Sequence, residues 1–172
     1  MSSIKIETFI LKFSEIGNVF DLIPIHSPHA KEEAKKHLDF NYQIDLPGLV
    51  KITIDDEVVL GEDETTEDIF ITWNSLVSAR KNQLKENRQD IILLDNVENV
   101  YLERQDDKAQ FVIEYDSHLS GKQIKRSPSV PIIELFEEIH RAGQELVHFC
   151  QNGNLPIDED SSYYTIIDKL KV

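Results

Sequence analysis

Apolar residues recur at helical spacing in the stretch Ser129–Gly153, and this pattern predicts the longest helix of the chain. The positions that follow three- and four-residue steps are Ile132, Leu135, Phe136, Ile139, Gly143, Leu146, Val147 and Cys150. Such steps place all of them on one helical face. Ser129 is the expected N-cap, Pro131 suits the first turn, and Asn152-Gly153 favours a left-handed stop. We therefore place a helix at about residues 131–152.

A second apolar pattern predicts a helix at about residues 67–86. Its members are Ile69, Trp73, Leu76, Val77, Arg80 and Leu84. Thr65 or Thr66 is the expected cap, and the acidic residues after them suit the positive end of a helix dipole. An alternative is a short strand at residues 69–72 before a shorter helix. On the helical interpretation, Trp73 belongs to the core.

Alternating and continuous apolar runs predict strands elsewhere in the chain. Residues 4–13 are apolar on both faces in their second half, which indicates a central strand. One hairpin is predicted over residues 55–57, and another around residues 106–108. Further short strands are expected at residues 19–25, 40–46, 90–94 and 122–126, the last of them at a sheet edge.

Two segments carry weaker patterns. His29–His37 has helical propensity but almost no large apolar residues, so only a short exposed helical turn is expected there. Tyr163–Leu170 fits a short helix and a last strand equally well, with one of its two tyrosines exposed. Because the strands come as hairpins rather than alternating with helices, the predicted fold class is α+β. We expect a single domain in which a mostly antiparallel sheet packs against the two main helices.

Composition narrows the classes of function. The 172 residues carry a formal net charge of −14, which argues against binding to nucleic acid or to an anionic membrane surface. The single cysteine, Cys150, excludes an internal disulfide and favours a reducing compartment, with the thiol buried on the long helix. Neither an N-terminal targeting pattern nor a membrane-spanning apolar run is evident. The predicted location is the cytoplasm.

The most unusual feature is a run of eight acidic residues and no basic ones within residues 55–68. These acids are Asp55, Asp56, Glu57, Glu62, Asp63, Glu64, Glu67 and Asp68. The run lacks the ligand order and the turn glycine of a calcium loop. It fits a solvated surface, a weak cation site, or a patch complementary to a basic protein partner. Residues 158–160, also acidic, extend the patch if they fold nearby.

Other candidate chemistry is sparse. His26 and His29 match no metal-site spacing and are expected to be solvated. His140 and His148, eight residues apart on the long helix, do not point the same way and cannot share one ion. The sequence contains neither a glycine-rich phosphate loop nor a nucleophile motif. We predict no catalytic residue, no metal ligand and no cofactor.

The hairpin NVYLERQDDKAQFVIEY, the helix VPIIELFEEIHRAGQELVHF and the acidic loop GEDETTED together resemble the immunity proteins of bacterial contact-dependent inhibition and related polymorphic toxin systems. The resemblance is one of type and includes no diagnostic motif. It implies an inhibitor that binds a cognate toxin, often a basic nuclease, and fills its active-site cleft with acidic side chains. A basic protein partner is therefore expected, and the eight acids are its candidate contacts.

Two other functions remain open at this point. An accessory subunit or interaction domain predicts a partner bound through an apolar interface with little salt dependence. An enzyme with a non-local carboxylate or histidine site predicts a deep pocket containing strongly shifted pKa values.

Overall fold

A computed structural model describes residues 2–14, 21–96 and 98–171. Within them the helices are α1 (Ala30–Phe40), α2 (Ile69–Asn82), α3 (Ile132–Asn152) and α4 (Tyr163–Leu170). The strands are β1 (Ile4–Leu11), β2 (Leu22–Pro24), β3 (Gly48–Ile54), β4 (Glu57–Leu60), β5 (Arg88–Ile91), β6 (Asn99–Gln105), β7 (Lys108–Ser117), β8 (Gly121–Arg126) and β9 (Val130–Pro131). The predicted α+β class is confirmed.

The strands form two antiparallel sheets rather than one. The first has the order β2-β1-β3-β4, and the second has the order β5-β6-β7-β8, with β9 paired to β7. Both predicted hairpins are confirmed, as are the internal position of β1 and the edge position of β8. The expected strand at 19–25 is observed as β2, although residues 19 and 20 lie outside the described residues.

One continuous core joins both sheets and all four helices. Helices α2 and α3 contact each other, and α3 also packs on β1. Trp73 is fully buried, as predicted, and its indole N–H donates to Thr8 Oγ1 at 2.9 Å, which satisfies the buried donor. Cys150 is also buried, and burial raises the pKa of its thiol, which disfavours the reactive thiolate.

The strand predicted at residues 40–46 is wrong. Helix α1 continues to Phe40, and the chain then turns through Tyr42 and Gln43, which both have positive φ. The buried side of α1 consists of Ala30, Ala34, His37 and Leu38. Small alanines give this face little hydrophobic signal, so the alternation at residues 40–46 misleads. Phe40 and Tyr42 are exposed, by 66% and 87%.

The predicted ends of the two main helices also need correction. Helix α2 starts at Ile69 with Asp68 as its N-cap, so neither threonine caps it and the alternative strand at 69–72 is wrong. Ser129 does not cap α3, because Val130 and Pro131 first pair with β7.

At the end of α3, Gly153 keeps a right-handed φ of −73°. The left-handed residue is Asn154, with a φ of 47°. Residues 163–170 are helical, with Tyr163 buried and Tyr164 exposed. Among the described residues, no helix is long and apolar enough to cross a membrane.

Candidate acidic binding surface

The first three predicted acids form the turn between β3 and β4. Asp55 and Asp56 have φ values of 48° and 65°, as the tight turn of a two-residue hairpin requires. Asp55 Oδ1 accepts a hydrogen bond from the Ser3 backbone N–H at 2.8 Å, which fixes the turn against the N-terminal segment. Glu57 lies 4.0 Å from Lys125 Nζ across the gap to β8. All three acids are exposed.

The next three acids form a short 3-10 helix at Glu62–Glu64, immediately after β4. Glu62 and Asp63 are exposed, while the half-buried Glu64 accepts a hydrogen bond from the Gly61 N–H at 2.8 Å. Glu98 approaches Glu64 from the segment before β6. Burial raises the pKa of both carboxyl groups, and the negative charge of Glu64 raises the pKa of Glu98 further. The contact between the two carboxyl groups lowers the pKa of Glu64 and raises that of Glu98.

Asp68 is separate from this surface. Its side chain is 1% exposed, and its Oδ1 accepts hydrogen bonds from the backbone N–H groups of Phe70 at 3.0 Å and Leu46 at 3.2 Å. Burial raises the pKa of Asp68 to about 6. Its carboxylate caps α2 from inside the protein and is not accessible to a partner. The predicted patch thus retains seven of its eight acids.

Thr66 brings a distant segment to the start of α2. Its hydroxyl accepts a hydrogen bond from the Leu94 N–H at 2.9 Å, and its backbone forms a two-way bridge with Gly48. Only glycine fits at position 48, because a Cβ there would lie 2.1 Å from the Phe9 carbonyl oxygen. These contacts place Asp95, just after Leu94, beside Glu67.

Glu67, Asp95 and Asp45 line a cavity of about 360 Å³. A hydrogen bond to the Asp95 carboxylate is the main cause that raises the pKa of Glu67, and the charges of Asp95 and Asp45 act in the same direction. The group therefore holds its negative charges close enough to oppose further ionisation. We call these three residues the acidic pocket.

Two further features adjoin the acidic pocket. The acidic linker 158–160 folds against the loop that carries Asp45, because the Asp158 N–H donates to the Gln43 carbonyl at 2.8 Å. This contact places the linker beside the loop that carries Asp45, and the extension of the acidic run by residues 158–160 stays a prediction. The exposed aromatic side chains of Phe40 and Tyr42 flank Asn41, which lines the pocket.

Few cations balance this surface. Of the seven accessible predicted acids, only Glu57 takes part in an ion pair within 4.0 Å among the described residues, and its partner is Lys125. Lys125 also lowers the pKa of Glu64 and Glu98 in part. Within the described ranges, no group of three histidine, cysteine or carboxylate side chains is arranged to hold a metal ion.

The fold adds acids that the linear run does not contain. Asp45, Asp95 and Glu98 come from two other segments, the loop after α1 and the connection between β5 and β6, and meet Glu64 and Glu67 only through tertiary contacts. Their one sequence signal is a position next to a turn, since Asp45 precedes Pro47-Gly48 and Asp95 precedes Asn96.

Comparison with known proteins identifies no relative. Neither a protein-family model, nor a curated protein, nor a solved structure matches this chain.

Proposed function

We propose that the protein is an acidic protein-binding module whose surface, formed by seven acids of the 55–67 run with Asp45, Asp95 and Glu98, binds a basic protein. Its most specific form is an immunity protein that occludes the active site of a cognate toxin, as the sequence resemblance implies. The observation that carries the proposal is the pairing of carboxyl groups, Glu67 with Asp95 and Glu64 with Glu98.

Paired carboxyl groups are unfavourable in the free protein. Each pair opposes its own ionisation, and Lys125 offsets only part of the repulsion. A lysine or arginine side chain from a partner relieves this repulsion by placing a positive charge between the carboxylates. The negative field also speeds the encounter with a basic protein.

The exposed aromatic residues supply the apolar part of such an interface. Phe40 is 66% exposed and Tyr42 is 87% exposed, beside the loop that carries Asp45. Protein interfaces take much of their binding free energy from a few large aromatic anchors. An acidic pocket next to such anchors fits a basic side chain surrounded by apolar contacts.

The enzyme alternative also predicts shifted carboxyl groups, but the geometry favours binding. Glu67 and Asp95 share a hydrogen bond, whereas glycoside hydrolases separate their two carboxyl groups by roughly 5–9.5 Å. Both residues are also exposed, so water surrounds the pair. Acid–base catalysis favours the opposite arrangement, in which water is excluded from the reacting groups.

Quantitative capture with matched variants tests the proposal. Tagged wild-type protein is compared with Asp45→Asn/Glu67→Gln/Asp95→Asn and with Glu32→Gln/Glu86→Gln/Glu137→Gln. The second variant removes the same charge from three exposed acids elsewhere. Proteins retained from a lysate of the source cells are quantified at about 0.05 M and about 0.5 M salt, since salt screens exposed charges.

The expected result is one basic protein retained by the wild type and by the control. The amount of this protein retained should fall by about tenfold or more for the pocket variant, and by a similar factor for the wild type at high salt. Equal retention by the pocket variant would remove the acidic pocket from the interface. Retention that ignores salt would favour an accessory subunit with an apolar interface, and the absence of any retained partner would contradict the proposal.

A further inference from the structure

A second cavity lies at the other end of α1, in a groove of about 370 Å³ between the β2–α1 loop and the last turns of α3. Its apolar floor is formed by Ile25, Pro28 and the half-buried Phe149. This volume lies within the range typical of small-molecule sites. The groove and the acidic pocket are separated by the length of α1, about 15 Å by the rise of an α-helix.

Although the protein is strongly acidic, the groove is lined by one lysine and two histidine side chains. Lys31, His26 and His148 all line it, and Lys31 has no ion pair within 4.0 Å among the described residues. One acid, Glu145, also lines it; its Oε1 lies 2.6 Å from Arg141 Nη1, and Arg141 pairs with Glu138 at 2.6 Å as well. Lys31 thus places a positive charge beside the apolar floor. Among the described residues it has no anionic partner within 4.0 Å.

The last carbonyl groups of α3 do not oppose an anion strongly, because they already accept hydrogen bonds. The N–H groups of Gly153, Asn154 and Leu155 donate to the carbonyls of Phe149, Gln151 and Cys150 at 3.0–3.1 Å. The Asn152 amide lies 2.8 Å from His148 Nε2, so these two side chains hold each other at the rim. Polar groups therefore surround an apolar floor and leave Lys31 available.

The same residues do not favour a cation. His26, Glu145 and His148 are two imidazoles and a carboxylate, the donor types of a metal site. They are not arranged as one: His26 Nε2 is 3.7 Å from Glu145, which pairs with Arg141, and His148 is engaged by Asn152. Among the described residues, no cluster of three such side chains can hold a metal ion.

We infer that this groove binds a small organic carboxylate with an apolar body, independently of the acidic surface. The apolar body lies on Ile25, Pro28 and Phe149, where it is removed from water. The carboxylate pairs with the Lys31 ammonium group in a charge-assisted hydrogen bond. The charge complementarity at Lys31 and the apolar floor select this class of ligand over a sugar or a cation.

The test uses 4-phenylbutyrate and its uncharged analogue 4-phenylbutyramide, which share one apolar body. Binding to the full chain is measured by calorimetry and by amide chemical shifts. The variant Lys31→Met removes the charge and keeps an apolar stem. Lys35→Met makes the same change on the same helix, at a residue that does not line the groove. Both lysines are on the surface of α1, so both variants should fold.

The expected result is saturable binding of the carboxylate, with shifts concentrated at residues 25–31 and 145–153. Lys31→Met should weaken it by about five- to tenfold and Lys35→Met should not, as a charge-assisted contact implies. The amide should bind Lys31→Met and wild type equally. Equal affinity for both probes in the wild type, or no saturable binding, would overturn the inference. A peptide ending in phenylalanine that binds more tightly than the free acid would assign the groove to a protein C-terminus instead.

Discussion

The two ends of α1 carry opposite chemistry. Near its C-terminal end, carboxyl groups from three segments crowd together with little compensation, and exposed aromatic residues flank them. Near its N-terminal end, a lysine and two histidines surround an apolar floor. The first region suits an extended basic surface, and the second suits a small anion. A net charge of −14 describes only the first of these, so the overall charge does not identify every binding site on a protein.

The largest expected effect tests how the fold holds the acidic pocket together. Gly48→Ala should lower the free energy of unfolding by about 3 kcal/mol, because its Cβ would meet the Phe9 carbonyl oxygen at 2.1 Å. Gly61→Ala is the control, since its Cβ would meet side-chain atoms rather than backbone, Val58 Cγ1 at 2.8 Å and Glu64 Oε2 at 3.9 Å. Urea denaturation measures both, and equal losses would contradict the proposed close approach at residue 48.

The cap of α2 gives the next largest effect. Asp68→Ala leaves the Phe70 and Leu46 N–H groups without their acceptor and should cost about 2 kcal/mol of unfolding free energy. Asp68→Asn keeps an accepting oxygen and should change stability by less than about 1 kcal/mol. Comparable destabilisation by the two variants in urea at neutral pH would mean that the charge, not the accepted hydrogen bonds, matters at this position.

Removing a carboxyl group from the acidic surface should stabilise the free protein. Glu98→Gln removes one of two paired acids, and its amide can donate to Glu64, so the free energy of unfolding at pH 7.5 should rise by roughly 0.5 kcal/mol. The pKa of Glu98 is raised in the folded protein, so its ionised form disfavours folding at neutral pH. Below the ordinary pKa of about 4.5 the acid is protonated in both states, and the gain should vanish.

Denaturation of both proteins at several pH values measures this difference. Glu137→Gln, at an exposed acid outside the surface, should change stability little at any pH. A loss of stability in Glu98→Gln at pH 7.5 would contradict the view that the pair is repulsive.

The groove should show the smallest effect on stability. Lys31 is exposed and unpaired among the described residues, so Lys31→Met should change the free energy of unfolding by less than about 0.5 kcal/mol. Thermal unfolding of Lys31→Met and Lys35→Met checks this. A larger loss in Lys31→Met alone would indicate that Lys31 serves the fold rather than a ligand.

The sequence predicts local features well, and it predicts contacts between segments that are far apart in the chain poorly. The amphipathic pattern at residues 131–152 and the turn at Asp106-Asp107 each depend on neighbours in the chain, and both predictions are confirmed. The acidic surface is half predictable, because the run 55–68 is continuous, whereas Asp45, Asp95 and Glu98 arrive through long-range contacts.

The errors have similar causes. Asp68 looks like its exposed neighbours in sequence, yet its place before α2 turns it inward as a cap. Helix α1 is hidden because Ala30 and Ala34 form its buried face with little hydrophobic signal. The groove has no linear signature, since Lys31 and Phe149 are more than one hundred residues apart.

The rate of association between the captured basic partner and this protein tests the central claim most directly. Stopped-flow measurements compare wild type, the acidic-pocket triple variant and its matched control from about 0.02 M to about 0.5 M salt. We expect the wild-type and control rates to fall steeply with salt, and the pocket variant to associate about tenfold more slowly at low salt. Equal rates for all three proteins at low salt would contradict the assignment of the acidic surface as the binding site.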